Sequence, residues 1–188
     1  ENLDAIMCLD PRGYGVCRIL YAGSRAYTGE PTAMHAAEAL CKAIHPGDPV
    51  YILVGFVLLP HKVPEMDGTV SAMLLARALV MAFNAKPIIV CPADSVQAIE
   101  KCAAVVGLHI YEDLDTVQEL PLSMGVVAFT KDKAAAPAQA EALAARKPAA
   151  VISVEASGAN ALGVYHNAVG KDVTAMQAKS EALWNLLR

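Results

Sequence analysis

Residues 50–56, Val-Tyr-Ile-Leu-Val-Gly-Phe, restrict this chain more than any other stretch. A run of strand length without alternation belongs to a strand covered on both faces, and such strands sit in parallel sheets between helical layers. The neighbouring segments fit that demand. Helical spacing over 32–44 stops at His45-Pro46-Gly47, and a long apolar helical stripe covers 69–83. A second short apolar run, 86–91, ends at Pro92. There follow a helix over 95–106, a strand over 108–111, an acidic turn or short helix over 112–119 and a strand over 124–130. An Ala-rich helix over 133–146, a strand over 149–154 and a helix over 174–187 complete the pattern. This alternation predicts an α/β fold, a layered, mostly parallel sheet flanked by helices with right-handed crossovers, in one domain over 1–188.

Composition narrows the classes of function. Hydrophobic residues make up 55% of the 188 residues and charged ones 18%, which is a core-forming balance. With a net charge of −4, no Lys/Arg stripe and few aromatics, no nucleic-acid partner is expected. No uninterrupted apolar run reaches the roughly 18 residues of a membrane span, and the acidic start, ENLDAIMCLD, lacks the basic region of a secretory signal. A cytoplasmic protein without a membrane partner is the expectation. The five cysteines contain no CxxC pair and read as small buried hydrophobes in a reducing compartment. The alanine- and leucine-rich helices are equally suited to a core or to a homo-oligomer interface.

Polar density concentrates after two strands. Residues 59–68, Leu-Pro-His-Lys-Val-Pro-Glu-Met-Asp-Gly, open the 69–83 helix. Residues 151–172 start as an apolar strand, reach Glu155, and then become glycine-punctuated around Gly158, Tyr165, His166, Asn167 and Asp172. Ligands in open α/β sheets bind beyond the carboxyl ends of strands, so Glu65, Asp67, Glu155 and Asp172 are expected to converge. Asp67 reads as a helix cap or a catalytic acid. Gly68 would let a ligand approach the helix N-terminus, and Glu155 would serve as general base or metal ligand. Plainer readings stand beside these: a solvated Glu155, and Tyr165 and Asn167 bracing their loop. No Walker loop, GxGxxG, GxSxG or HExxH signature is present.

Four stretches, in order, resemble the D-glutamate cyclase family. Leu9-Asp10-Pro11-Arg12-Gly13-Tyr14-Gly15-Val16 is similar to its opening turn, and Pro64-Glu65-Met66-Asp67-Gly68 to its E-T-D-G segment with Met66 in place of Thr. Ile152-Ser153-Val154-Glu155 resembles its I-x-I-E strand end. Gly163-Val164-Tyr165-His166-Asn167 and Gly170-Lys171-Asp172-Val173-Thr174 resemble its G-x-Y-x-N and G-x-D runs. Where the family carries R-P-G-R, this chain has Ala156-Ser157-Gly158-Ala159, and it ends at Arg188 without the family's G-D-G-G-N-E-like segment. A domain lacking that C-terminal segment is therefore expected.

The resemblance implies a lyase acting on a small acidic substrate, turning D-glutamate into 5-oxo-D-proline and water. It implies Glu155 and Asp67 as catalytic residues and Glu65, Gly68, Gly158, Tyr165 and Asn167 as substrate-binding ones. The cofactor is left open: a divalent metal, Mg or Mn, held by Asp67, Glu155 or Asp172, is the alternative means of polarising the carboxyl group. Two alternatives stay open on the residues: a divalent-metal-dependent phosphohydrolase, and a non-catalytic module that binds a small anion.

Overall fold

A computed structural model of the chain describes residues 2–188. The backbone divides into two compact units, Glu1–Ala43 and Ile44–Arg188. The first contains three helices, α1 (Asn2–Met7), α2 (Val16–Thr28) and α3 (Thr32–Ala43). Its polar centre is Asp4, which accepts hydrogen bonds from the Tyr21 hydroxyl (2.8 Å), Thr32 Oγ1 (3.3 Å) and the Ala33 N–H (3.2 Å). Burial pushes the Asp4 carboxyl up, but these bonds outweigh it and hold the group below its ordinary value. The Asp10 turn closes on itself: the Gly15 N–H donates to Asp10 Oδ2, and the Gly13 N–H to the Asp10 carbonyl.

The second unit is the layered α/β fold. Its sheet runs β5 (His109–Tyr111), β6 (Ser123–Ala128), β4 (Lys86–Cys91), β1 (Pro49–Leu53), β7 (Ala150–Ser153), and every pair in it is parallel. β1 and β4 are buried along nearly their whole length, as their unbroken apolar runs demanded. The register sets Tyr51 beside Ile88 and Leu53 beside Val90. These four lie on one face with α7 (Ala136–Ala144), α8 (Glu181–Leu187) and Leu114 of α6 (Leu114–Glu119). The opposite face is covered by α4 (Met66–Phe83) and α5 (Ala93–Val105), through Ala72, Met73, Ala76, Leu79, Ile99 and Ala103. α4 is an 18-residue helix of mean hydropathy 1.4, long and apolar enough to cross a membrane. Its buried stripe against the sheet takes up 39% of that stretch, and Val70, Leu74 and Met81 stay exposed.

Three sequence expectations are corrected. α4 starts at Met66 with Glu65 at its N-cap, so Asp67 lies in the first turn and is not the cap. The loop after β1 contains a small antiparallel hairpin, β2 (Val57–Leu58) with β3 (Val63–Pro64). The expected helix over 174–187 is instead a 3-10 turn, Thr174–Met176, an irregular stretch, and the short α8. Among the cysteines, Cys91 is buried and its thiol is pushed up to about 12 by burial, whereas Cys41 is exposed on α3.

The sheet is fastened to α7 by one buried polar contact. The Tyr51 hydroxyl donates to the Leu143 carbonyl at 2.7 Å, and burial raises its pKa to about 12, so it stays a neutral donor. Tyr51→Phe removes this donor and leaves the Leu143 carbonyl with its bond from the Arg146 N–H at 3.1 Å. The expected loss is about 0.5–1.5 kcal/mol of unfolding free energy with an unchanged m-value, read by urea denaturation.

Candidate active site

The strand order creates two places where neighbouring strands send their chains to opposite faces of the sheet. One lies between β4 and β6, the other between β1 and β7. Such switch points open a crevice at the carboxyl end of the sheet. Asp94 and Lys131 form an ion pair, one following β4 and the other β6. Beyond β1 and β7 the charge balance is different.

β1 and β7 keep pairing after their formal ends. The Val154 N–H donates to the Leu53 carbonyl at 2.8 Å, and the Phe56 N–H donates to the Glu155 carbonyl at 3.0 Å. The Phe56 carbonyl accepts from the Glu65 N–H at 2.8 Å. One residue therefore ties Glu155 on its N–H side and Glu65 on its carbonyl side. Glu155 has φ +49, a left-handed conformation that costs a non-glycine residue on the order of 1–3 kcal/mol and persists where surroundings impose it. Here the Phe56 bond is part of that imposition.

Glu65 and Glu155 line one open cleft of about 360 Å³ with Phe56, Leu58, His166 and Asn167. Glu65 is half-buried. Burial, and then the charges of Asp67 and Glu155, raise its carboxyl above the ordinary glutamate range. No Lys or Arg side chain lines this cleft among the described residues; His166 is the basic side chain there, and Glu155 is exposed. The first turn of α4 also has no side-chain cap from Glu65.

The other expected site residues fare differently. Asp67 Oδ1 accepts from the Gly68 N–H at 2.7 Å, and Asp67 is exposed. Gly68 is buried, and the space a Cβ would fill there is already taken by Glu155: the Glu155 Cβ would be 2.5 Å away. Its missing side chain thus admits Glu155 against the helix rather than a ligand. Asn167 lines the cleft, while its Oδ1 braces the loop by accepting from the N–H groups of Val169 (3.2 Å) and Lys171 (2.9 Å). Gly158 lines a separate cleft of about 200 Å³ with Ser153, Ser157, Ser180, Glu181 and Trp184.

Tyr165 is 1% exposed and does not line the acidic cleft. Burial, and then the neighbouring Glu181 carboxylate, push its hydroxyl far above the ordinary tyrosine value. The Lys179 ammonium sits 4.3 Å from its ring centre. The hydroxyl itself has no hydrogen-bond partner within geometric limits, so its coupling to Glu181 is one of proximity.

Asp172 is not brought to the acidic pair. Its Oδ1 accepts from the Thr174 N–H at 2.8 Å, and bonding to Thr174 holds its carboxyl below the ordinary range despite some desolvation. The charges felt there are those of His166 and Lys179. Among the described residues no three His, Cys, Asp or Glu side chains form a group able to hold a metal ion. The trio Asp67, Glu155 and Asp172 therefore does not fit a divalent metal.

Sequence reasoning missed two residues that shape the cleft. Phe56 acts through its backbone, which leaves no trace in residue type. His166 stood out only as part of a motif, yet it lines the cleft, with Nδ1 3.5 Å from Asn160 Nδ2.

No curated protein and no solved structure matches this chain. One family model does, described as D-glutamate cyclase-like, C-terminal, and it matches residues 3–188. With the match running through both units of the fold, the chain belongs to the D-glutamate cyclase-like, C-terminal family.

Proposed function

We propose that the cleft between β1 and β7 cyclises D-glutamate to 5-oxo-D-proline. The observation that carries this reading is the pair Glu65 and Glu155, tethered to one Phe56 and facing one cleft, in a chain of this family. A pair of carboxylates suits an ammonium group. The α-ammonium of the substrate relieves their mutual repulsion and then gives up a proton. Glu65, with its raised proton affinity, is suited to take that proton closer to neutral pH than an ordinary glutamate would. Glu155 shares the ammonium and the proton.

The freed amine attacks the side-chain carboxyl carbon. A C–N bond forms, the carbonyl oxygen takes up negative charge, and the tetrahedral intermediate expels one oxygen as water. Two protons from the amine go to that departing oxygen, the first returned from the acidic pair and the second lost from nitrogen once the C–N bond has formed, so the net change is loss of one water. Holding the two ends of the substrate together supplies the entropic part of the rate. A phosphate ester or another anion without an ammonium group is favoured less, because it brings no positive charge to the two carboxylates.

Glu155→Gln and Glu65→Gln each remove a proton acceptor. Each is expected to lower kcat for D-glutamate by about 10²-fold or more, measured as 5-oxoproline formed. Parental turnover in Glu155→Gln would remove that residue from the chemistry.

The pH profile follows from the direction of the Glu65 shift. As pH falls, Glu65 takes up its proton and can no longer accept one, so kcat/KM drops on the acid side. Because the group is raised, that limb lies above the ordinary value of 4.5. Asp67→Asn removes one of the charges that raise it and is expected to move the limb to lower pH.

Gly68→Ala tests the seat of Glu155. Its new Cβ meets the Glu155 side chain at 2.5 Å. It is expected to cost about 1–3 kcal/mol of stability and to lower kcat more than it raises KM.

A further inference from the structure

Gln177 stands outside every motif, yet it is fully buried, at 0% exposure. Its side-chain amide engages Val57, 120 residues away, on both backbone groups. The Val57 N–H donates to Gln177 Oε1 at 3.2 Å, and Gln177 Nε2 donates to the Val57 carbonyl at 3.1 Å. The Ser157 hydroxyl donates to the same Oε1 at 3.1 Å. One side chain thus joins the loop after β1 to the loop after β7.

The geometry explains why an amide is needed. In an antiparallel pair, hydrogen-bonded and non-hydrogen-bonded positions alternate. Val57 faces Pro64, and the flanking bond runs from the Glu65 N–H to the Phe56 carbonyl. The N–H and carbonyl of Val57 therefore point away from β3. Val57 is itself buried, at 1% exposure, so both groups would be orphaned without an outside partner. A glutamine amide offers one donor and one acceptor side by side and takes the place of a neighbouring strand.

We propose that Gln177 is a positioning residue of the acidic cleft, setting the separation of Glu65 and Glu155 through Val57 and Phe56. Val57 adjoins the residue whose N–H holds Glu155 and whose carbonyl holds Glu65. Fixing Val57 fixes that residue, and the further bond, from Ser157, fixes the loop two residues beyond Glu155. The inference rests on the cyclase reading only for its effect on turnover; the clamp itself is a matter of geometry.

The test uses the full chain with Gln177→Met, Gln177→Glu and Ser157→Ala. Gln177→Met keeps the length without the bonds, and Gln177→Glu keeps the acceptors but has no donor for the Val57 carbonyl. Two readouts are taken: hydrogen–deuterium exchange by peptide, and kcat and KM with D-glutamate. Both Gln177 variants are expected to exchange faster over 54–68 while β4 stays protected. Their kcat should fall roughly ten- to hundredfold with KM within about twofold, as a misplaced catalytic pair requires. A purely structural role predicts instead faster exchange throughout the unit, and that result overturns the proposal. So does unchanged exchange over 54–68, or unchanged kcat in an active parent. If the parent forms no 5-oxoproline, the cyclase reading fails and exchange alone decides the role of Gln177. If the Gln177 variants do not fold, Ser157→Ala, which deletes one of the three bonds, should show the same local pattern at smaller amplitude; its absence there overturns the clamp.

Discussion

The peptide units on either side of Phe56 are the constraint on which the candidate site depends. A strand that leaves a buried sheet must still satisfy its backbone groups. β1 does so by continuing to pair with Val154 and Glu155, just past β7, and then by turning its next carbonyl to the Glu65 N–H. Gly55, at φ +108, makes the bend that permits this, with Pro92 and Ser95 so close that a Cβ would sit 2.6 and 2.8 Å from them. The left-handed Glu155 is the matching distortion on the other strand. Backbone pairing thus places two carboxylates at one cleft before any side-chain interaction is considered.

The two switch points of the sheet contrast in electrostatics. After β4 and β6, Asp94 meets Lys131 and the charges cancel at a partly exposed site. After β1 and β7, Glu65 is half-buried, and the charges of Asp67 and Glu155 act on it with no Lys or Arg lining the cleft among the described residues. A fold selected only for stability would favour the first arrangement, because like charges in a partly desolvated site raise the free energy of the folded state. Such a cost is common where a group must gain or lose a proton, and it favours the second switch point as the functional one.

The sheet, its parallel sense and most helices were legible, because unbroken apolar runs and helical stripes are local signals and the core follows them. Glu65 and Glu155 were legible as acids at a helix start and a strand end. Other roles depended on contacts across the sheet. Gly68 looked like room for a ligand, but the room belongs to Glu155, which lies 87 residues further along the chain (155 − 68). Tyr165 looked like a substrate contact, but an aromatic residue beside glycines carries no sign of whether it faces out or in. Asp172 looked like a third acid for a metal, and its commitment to Thr174 only two residues away shows how readily a short side chain satisfies its own turn.

The sharpest departure from periodicity is residues 174–187, whose Ala, Met, Gln, Lys and Leu content favours a helix throughout. The structure breaks it because side chains in the middle have competing uses. Gln177 is spent on Val57, and Lys179, only 5% exposed, donates to the carbonyls of Thr174 and Gln177. A continuous helix would keep those two carbonyls for its own N–H groups four residues on, leaving the buried ammonium fewer acceptors. Desolvation lowers the Lys179 pKa, and the carbonyls together with the Tyr165 ring offset part of that cost. Local helix propensity is worth tenths of a kcal/mol per residue, about 0–0.7. An unsatisfied buried amide or ammonium costs about 1–3 kcal/mol or more. Satisfying the buried polar groups therefore outweighs propensity, and the segment unwinds where Gln177 and Lys179 must turn inward. Tyr165 is then explained as well: it is a buried ring against which the Lys179 ammonium of that segment is seated.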